Sequence, residues 1–83
     1  MEFANDKDGN FVSKDWFDYV GNFYDGFAAV EIKNKWNFID INGNFLSKDW
    51  FDDVDYFKDG FGRVKIKNKG WNFIDKNGNL KTK

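Results

Sequence analysis

The nonapeptide WNFIDINGN, residues 36–44, returns as WNFIDKNGN at residues 71–79. Self-similarity at a period of tens of residues marks a repeat architecture. Sliding the chain by 34 places sets Gly9 on Gly43, Trp16 on Trp50, Gly26 on Gly60 and Val30 on Val64. From Trp36 onward the offset is 35, because Gly70 has no counterpart. Residues 9–42 against 43–77 without Gly70 give 34 compared positions, of which 25 are identical. EFANDKDGN at 2–10 is a worn echo of the nonapeptide, keeping Asp6, Gly9 and Asn10, and NGNLKTK starts another unit. The chain therefore reads as one domain: partial repeat 1–8, repeat one 9–42, repeat two 43–77 and partial repeat 78–83. One unit cannot bury its own apolar face, so a second copy supplies the other half of the core.

The unit itself reads as β. In GFAAVEIK (26–33) and GFGRVKIK (60–67), Val30 and Ile32 alternate with Glu31 and Lys33, and Val64 and Ile66 with Lys65 and Lys67. Period two with β-branched residues predicts strands. WNFID follows, predicting a second strand with Trp36 and Phe38 on one face and Ile39 on the other. The link between them is Asn34-Lys35 in repeat one and Asn68-Lys69-Gly70 in repeat two, where the extra glycine suits a positive-φ loop position. Asn42-Gly43 and Asn77-Gly78 are strong hairpin signals, with Asp8-Gly9 in the same part at the front. A third strand, NFLSK, is expected after the first of them. The DWFDYVGNFYDG and DWFDDVDYFKDG segments fit either one helical turn capped by Ser47 or an extended crossover ending at Asp59-Gly60. The extended reading is preferred. The expected fold is all-β: tandem antiparallel hairpin or meander repeats of about 34 residues, packed into one small domain.

The order Asp-Gly-Phe-x-x-Val, a short turn, Trp-x-Phe-Ile-Asp-x-x-Gly, then Trp-Phe-Asp-x-Val-x-x-Phe resembles the bacterial WG repeat family over residues 2–80. One departure stands out: Trp36 is followed by Asn37 and Trp71 by Asn72, where the family has Gly. Asn is less permissive of a close backbone approach than Gly, so packing around that strand is expected to differ. The resemblance implies β-repeats in binding or scaffold roles and no established catalytic activity.

Composition excludes several chemistries. The chain has no Cys and no His, which removes disulfides and Cys/His metal sites. Net charge is −1, so no global field points to nucleic acid or to a membrane. The charge is nonetheless divided: residues 1–42 carry −4 and residues 43–83 carry +3. Such a division favours head-to-tail association or an oriented partner, although a mixed solvated surface is the simpler account. No signal peptide and no membrane-length apolar run is seen, and the expected location is cytoplasmic. Aromatics make up 22% of the chain, which predicts a mainly aromatic core that takes in Trp16, Trp36, Trp50 and Trp71.

Candidate chemistry is thin. The Asp6-Lys7-Asp8-Gly9-Asn10 run fails the calcium-loop register, and a turn is favoured. Asp49, Asp52, Asp53, Asp55 and Asp59 cluster, but three of them match Asp15, Asp18 and Asp25 in the other repeat, as framework turn acceptors would. Ser13 and Ser47 have no His to activate them, and neither Lys14 nor Lys48 reads as buried. Asp40 and Asp75 read as turn acceptors. No enzyme activity, cofactor or metal is expected.

The sharpest functional feature is an asymmetry. Arg63, Lys65 and Lys67 are expected on one strand face, with Phe61 at its head and Lys69 at the turn, where repeat one has Ala29, Glu31 and Lys33. Edge-strand lysines that block aggregation are the rival account. Tyr19/Asp53, Gly21/Asp55, Asn22/Tyr56 and Tyr24/Lys58 also differ between repeats. The expected function is a non-enzymatic protein-binding module presenting Tyr56, Lys58, Phe61, Arg63, Lys65 and Lys67 to a protein partner. Asn, Lys, Phe and Asp account for 46 of the 83 residues. That bias suits an AT-rich bacterium or its phage, and a small inhibitor of a host or defence protein. Alternatives are a nucleic-acid or carbohydrate binder using exposed Trp and the basic strand, or a fragment of a longer array. Unpaired edge strands also point to a homodimer.

Overall fold

The structure, a computed structural model, describes residues 2–5, 8–13 and 15–81. Asp6 and Lys14, invoked above, lie outside the described residues. Six strands form it: β1 (Tyr19–Tyr24), β2 (Phe27–Ile32), β3 (Lys35–Asp40), β4 (Asp53–Lys58), β5 (Phe61–Ile66) and β6 (Gly70–Asp75). They pair antiparallel into two sheets, β1-β2-β3 and β4-β5-β6. The fold is all-β, with tandem repeats and no helix among the described residues. The DWFD segments run into strands β1 and β4, as the extended reading requires.

Turn chemistry sets the hairpins. Asp25-Gly26 and Asp59-Gly60 join β1 to β2 and β4 to β5, and all four residues have positive φ. That is the twist-matched two-residue hairpin turn. Lys33-Asn34, at φ 52° and 68°, joins β2 to β3 in the same way, one residue earlier than the sequence suggests. In repeat two, residues 67–69 form a longer loop, and Gly70 opens β6 at φ 83° opposite Ile66. The inserted residue is absorbed there. Asn42-Gly43 does not make the two-residue turn expected of it. Asp40 Oδ1 instead accepts the amides of Asn42 and Asn44, both at 2.9 Å. Only Gly43 of that pair takes positive φ. Asp75 repeats the pattern with Asn77 and Asn79.

The expected third strand NFLSK is the main correction. The third strand of each sheet is β1 or β4, which precedes the hairpin, and NFLSK contributes only a bridge from Phe45 to Ile39. The reason lies at Asn37. The Leu46 amide bonds the Phe38 carbonyl at 2.9 Å, and Trp36 exchanges two 2.8 Å bonds with Phe51. Four residues, 47–50, thus face the single residue Asn37. The fully buried Asn37 side chain fills that break: its Nδ2 donates to the Ser47 carbonyl at 2.9 Å and its Oδ1 accepts the Phe38 amide. Asn37, where the family resemblance implies Gly, therefore satisfies the backbone the break leaves open.

The described residues stack in three layers: a front layer of residues 2–5, 8–13 and 15–17, then β1–β3 with the return segment 44–51, then β4–β6 with residues 79–81. Ala28, Val30 and Ile39 on one face of the first sheet pack on Ala4 and Phe17. Phe38, on its opposite face, packs with Phe51, Phe57, Val64 and Ile74. Both faces of the first sheet are therefore covered. Phe57 stacks on Phe27 at 4.5 Å and meets Phe38 edge-on at 4.8 Å. Gly62 makes this possible, because a Cβ there would lie 2.6 Å from the Phe57 ring and 3.0 Å from that of Phe38.

The core is less aromatic than composition suggests. Among the described residues, four of the ten buried apolar side chains are Phe; the rest are Ala, Val and Ile. The tryptophans are not among them: Trp36 and Trp50 are half-buried, and Trp16 and Trp71 are exposed. The space between layers is filled by Phe rings with small and β-branched side chains around them, and the indoles remain outside the fully buried set.

Candidate functional site

The second sheet has one covered face and one open face. Alternation on β5 turns Gly62, Val64 and Ile66 inward and Phe61, Arg63 and Lys65 outward. Phe61, Trp71 and Phe73 are 40%, 44% and 48% exposed. Their counterparts Phe27, Trp36 and Phe38 in the first sheet are half-buried or buried. No described residue covers this outer face.

Charge and aromatic groups are interleaved on it. Arg63 sits opposite both Asp55 on β4 and Phe73 on β6. Its guanidinium lies 3.5 Å from the Asp55 carboxylate and 4.9 Å from the centre of the Trp71 ring. Lys81 Nζ lies 5.8 Å from the centre of the Phe61 ring. Both are cation–π placements, in which the ring quadrupole attracts the cation.

Of the residues singled out from the sequence, Tyr56, Lys58, Phe61 and Arg63 line a single cleft of ≈430 Å³ with Asp55 and Phe73. Tyr56 reaches it because β4 carries a register irregularity between Asp55 and Lys58. Such a bulge re-aims side chains, and here Phe57 turns inward while Tyr56 turns out. Lys65 shares the face of β5 but does not line the cleft. Lys67 is the correction: β5 ends at Ile66, so Lys67 belongs to the turn rather than to a three-residue basic row. The Asp52 carboxyl is held below its usual range by the Lys35 ammonium, 2.7 Å away, with added attraction from Lys67 and Lys65. The predicted row thus divides between two acidic neighbours, Asp55 and Asp52.

A second groove, of ≈350 Å³, adjoins the first and shares Asp55 and Tyr56 with it. Tyr19, Tyr24 and Trp36 complete its aromatic lining. Every tyrosine in the chain is on this groove. Tyr24 and Tyr56 pack at 4.9 Å across the gap between the sheets, and Tyr19 meets Trp36 edge-on at 5.6 Å. Sequence reasoning missed Trp71, Phe73 and Lys81, and it flagged Tyr19 and Tyr24 only as unmatched between repeats. Layer position was the absent signal: Phe38 and Phe73 are identical in the sequence yet lie inside and outside the stack.

Ser13, Ser47 and Asp25 are each engaged in hydrogen bonds of the fold. Ser13 Oγ bonds both the amide and the carboxylate of Asp15, and Ser47 Oγ accepts the Asp49 amide. Asp25 accepts the Gly60 amide and the Lys76 ammonium, which together hold its carboxyl below the usual range. Among the described residues, no group of three or more acidic side chains converges as metal ligands. None of their helices is long and apolar enough to cross a membrane.

A family model described as WG containing repeat matches residues 6–36 and again residues 38–69. No curated protein and no solved structure matches the chain.

Proposed function

The chain belongs to the WG containing repeat family, and we propose that it is a non-enzymatic protein-binding module using the open face of its second sheet. The observation that carries this reading is the cleft where Tyr56, Lys58, Phe61 and Arg63 meet beside an uncovered pair of Phe rings. Exposed aromatics around an Arg are the composition of protein-binding hot spots. The adjoining tyrosine groove extends that surface with rigid rings that also carry hydroxyls.

A phosphate-tracking surface is disfavoured by the acidic partners of its cations: Asp55 neighbours Arg63, and Asp52 attracts Lys65 and Lys67. The absence of Cys and His, together with the turn bonds of the carboxylates, supports the non-enzymatic reading. A role as a small inhibitor of another protein fits the same surface.

The test is recovery of partners from bacterial lysate on the tagged protein, with and without nuclease, beside a Phe61→Ala/Arg63→Ala variant. A protein recovered stoichiometrically in both nuclease arms and lost with the variant is the expected result. Recovery that disappears with nuclease, or that ignores the variant, overturns the reading.

A further inference from the structure

We infer that the open face of the second sheet also takes the opposite end of another copy of this chain, so that copies associate head to tail. This inference rests on the reading of that face as a protein-binding surface and names one partner for it.

The other end of the stack is open as well. In the layer of residues 2–17, Phe11 and Trp16 are 68% and 52% exposed. Phe3 joins their rings at 5.0 and 4.0 Å into one cluster. Inside the molecule, the equivalents of these two residues are the surface that mates with the preceding layer. Phe45 corresponds to Phe11 and meets Phe17 edge-on at 6.2 Å, and Trp50 corresponds to Trp16 and packs on the Phe17 cluster. The opposite end, with Phe61 and Phe73, repeats the Phe27 and Phe38 positions that mate with the following layer. The Phe73 end therefore carries one half of the contact that joins layers within the chain, and the Phe11 end carries the Phe45 and Trp50 part of the other half, without counterparts of Ala28 and Val30.

Charge selects the pairing. At the Phe11 end the described acidic residues are Asp8 and Asp15, both exposed, whereas Glu2 bridges Phe17 and shares its inward face. The Phe73 end bears Lys58, Arg63, Lys65 and Lys81, against Asp53, Asp55 and Asp59. Two like ends repel, whereas unlike ends attract. The contact is weaker than the internal one, because Arg63 and Lys81 stand where the inner layer has Ala29 and Leu46. An end-to-end contact of this kind is heterologous and does not close on itself at two copies.

Sedimentation velocity on the whole chain tests this. Mean mass is expected to rise with concentration toward ~1 mM, in the weak-affinity range. Raising salt from ~0.05 to ~0.5 M should weaken association about tenfold, as screening acts on exposed charges. Phe11→Lys/Trp16→Lys and Arg63→Glu/Phe73→Asp, each checked for folding by circular dichroism, should be monomeric alone. Mixed, they should form a heterodimer and stop there, since one intact end of each kind remains. A monomeric wild type at ~1 mM, a mass that stops at two copies, or a single variant that still associates overturns the inference. The partner-binding reading stays separable: the Phe11/Trp16 variant should keep any partner recovered from lysate, and the Arg63/Phe73 variant should lose it.

Discussion

Replacing Phe38 and Phe73 by Ala, one at a time, tests the layered architecture with a built-in control. The two residues occupy the same strand position in successive repeats, β3 and β6, and follow the same Trp-Asn pair. Phe38 is fully buried between the sheets, whereas Phe73 is 48% exposed on the outer one. Removing a buried Phe ring loses its transfer free energy and leaves a cavity, which together cost about 3–5 kcal/mol. Phe73 has already left about half its ring in water, and its loss leaves an open dent that solvent fills. Only the remaining transfer contribution applies, about 1–2 kcal/mol at ~25 cal/mol per Å². A domain of this length has roughly 4–12 kcal/mol of total stability, so Phe38→Ala consumes a large part of it. Each kcal/mol corresponds to a shift in Tm of about 4–8 °C at this size. Urea unfolding followed by tryptophan fluorescence and far-ultraviolet circular dichroism reads both variants, with unchanged m-values as the check on two-state behaviour. Equal costs for the two substitutions would refute the reasoning, because they would mean that Phe73 is as enclosed as Phe38.

Three further outcomes follow from the same geometry. Asn37→Ala should cost about 1–3 kcal/mol, since it strips a buried side chain from the Ser47 carbonyl and the Phe38 amide; urea midpoints compared with those of Asn72→Ala, its half-buried counterpart, measure it. Gly62→Ala should destabilise by about 1–3 kcal/mol through overpacking, despite the better strand fit of Ala, because its Cβ meets the Phe57 ring; thermal unfolding that shows a gain would sink that contact. Stability should also fall on acidification. Asp25, Asp52 and Asp75 all have carboxyls held below their usual range: Asp25 by the Gly60 amide and Lys76, Asp52 by Lys35, and Asp75 by the Asn79 and Asn77 amides. A depressed folded-state pKa means the unfolded chain binds protons first. This contribution is therefore complete above the ordinary carboxylate range and is lost as pH falls through the lower folded values. Asp25→Asn should flatten that acid limb in a pH series of urea midpoints.

Strand content and repeat number were legible because period-two alternation and the identity between repeats are direct signals, and a turn formed at Asp59-Gly60 where one was expected, whereas Asn42-Gly43, the stronger hairpin signal, did not make a two-residue turn. The return segment was not legible. NFLSK has good strand composition, but its pairing is interrupted by one side chain, Asn37, that bonds the Ser47 carbonyl. Nothing in the NFLSK residues announces a partner ten positions away. The tryptophans were misplaced for a related reason. Size argues for burial only where the interior has room, and here the rings of Phe17, Phe38, Phe51 and Phe57 occupy it while the indoles stay half-buried or exposed. The cleft residues Tyr56, Lys58, Phe61 and Arg63 were legible as differing or flanking positions, whereas their neighbours Trp71 and Phe73 were hidden by being identical in both repeats.

Divergence between the repeats has two physical origins, and the layers separate them. Ala29 against Arg63 and Glu31 against Lys65 contrast a covered face with an open one. Stacking accounts for the first of these differences, since a charge at Ala29 would be caught between sheets, whereas Glu31 and Lys65 are both charged and differ only in how far they are exposed. Ala28 against Gly62 contrasts two buried positions and is set by the approach of the Phe57 ring, 2.6 Å from where a Cβ at Gly62 would lie. Tyr19/Asp53, Asn22/Tyr56 and Tyr24/Lys58 are different, because both members of each pair are exposed. Burial does not distinguish them, and neither side chain is needed to close a layer. Those three pairs supply every tyrosine of the chain, and all three tyrosines converge on one groove. Once the inside-and-outside effect is removed, the tyrosine groove and its shared wall with the Arg63 cleft carry the variation that folding does not require. A triple Tyr19→Ser/Tyr24→Ser/Tyr56→Ser variant should accordingly keep nearly all of its stability, since exposed substitutions cost about 0.5 kcal/mol or less each, while losing the partner recovered by the parent chain. Unfolding on that substitution would instead assign the tyrosines to the joint between the two sheets.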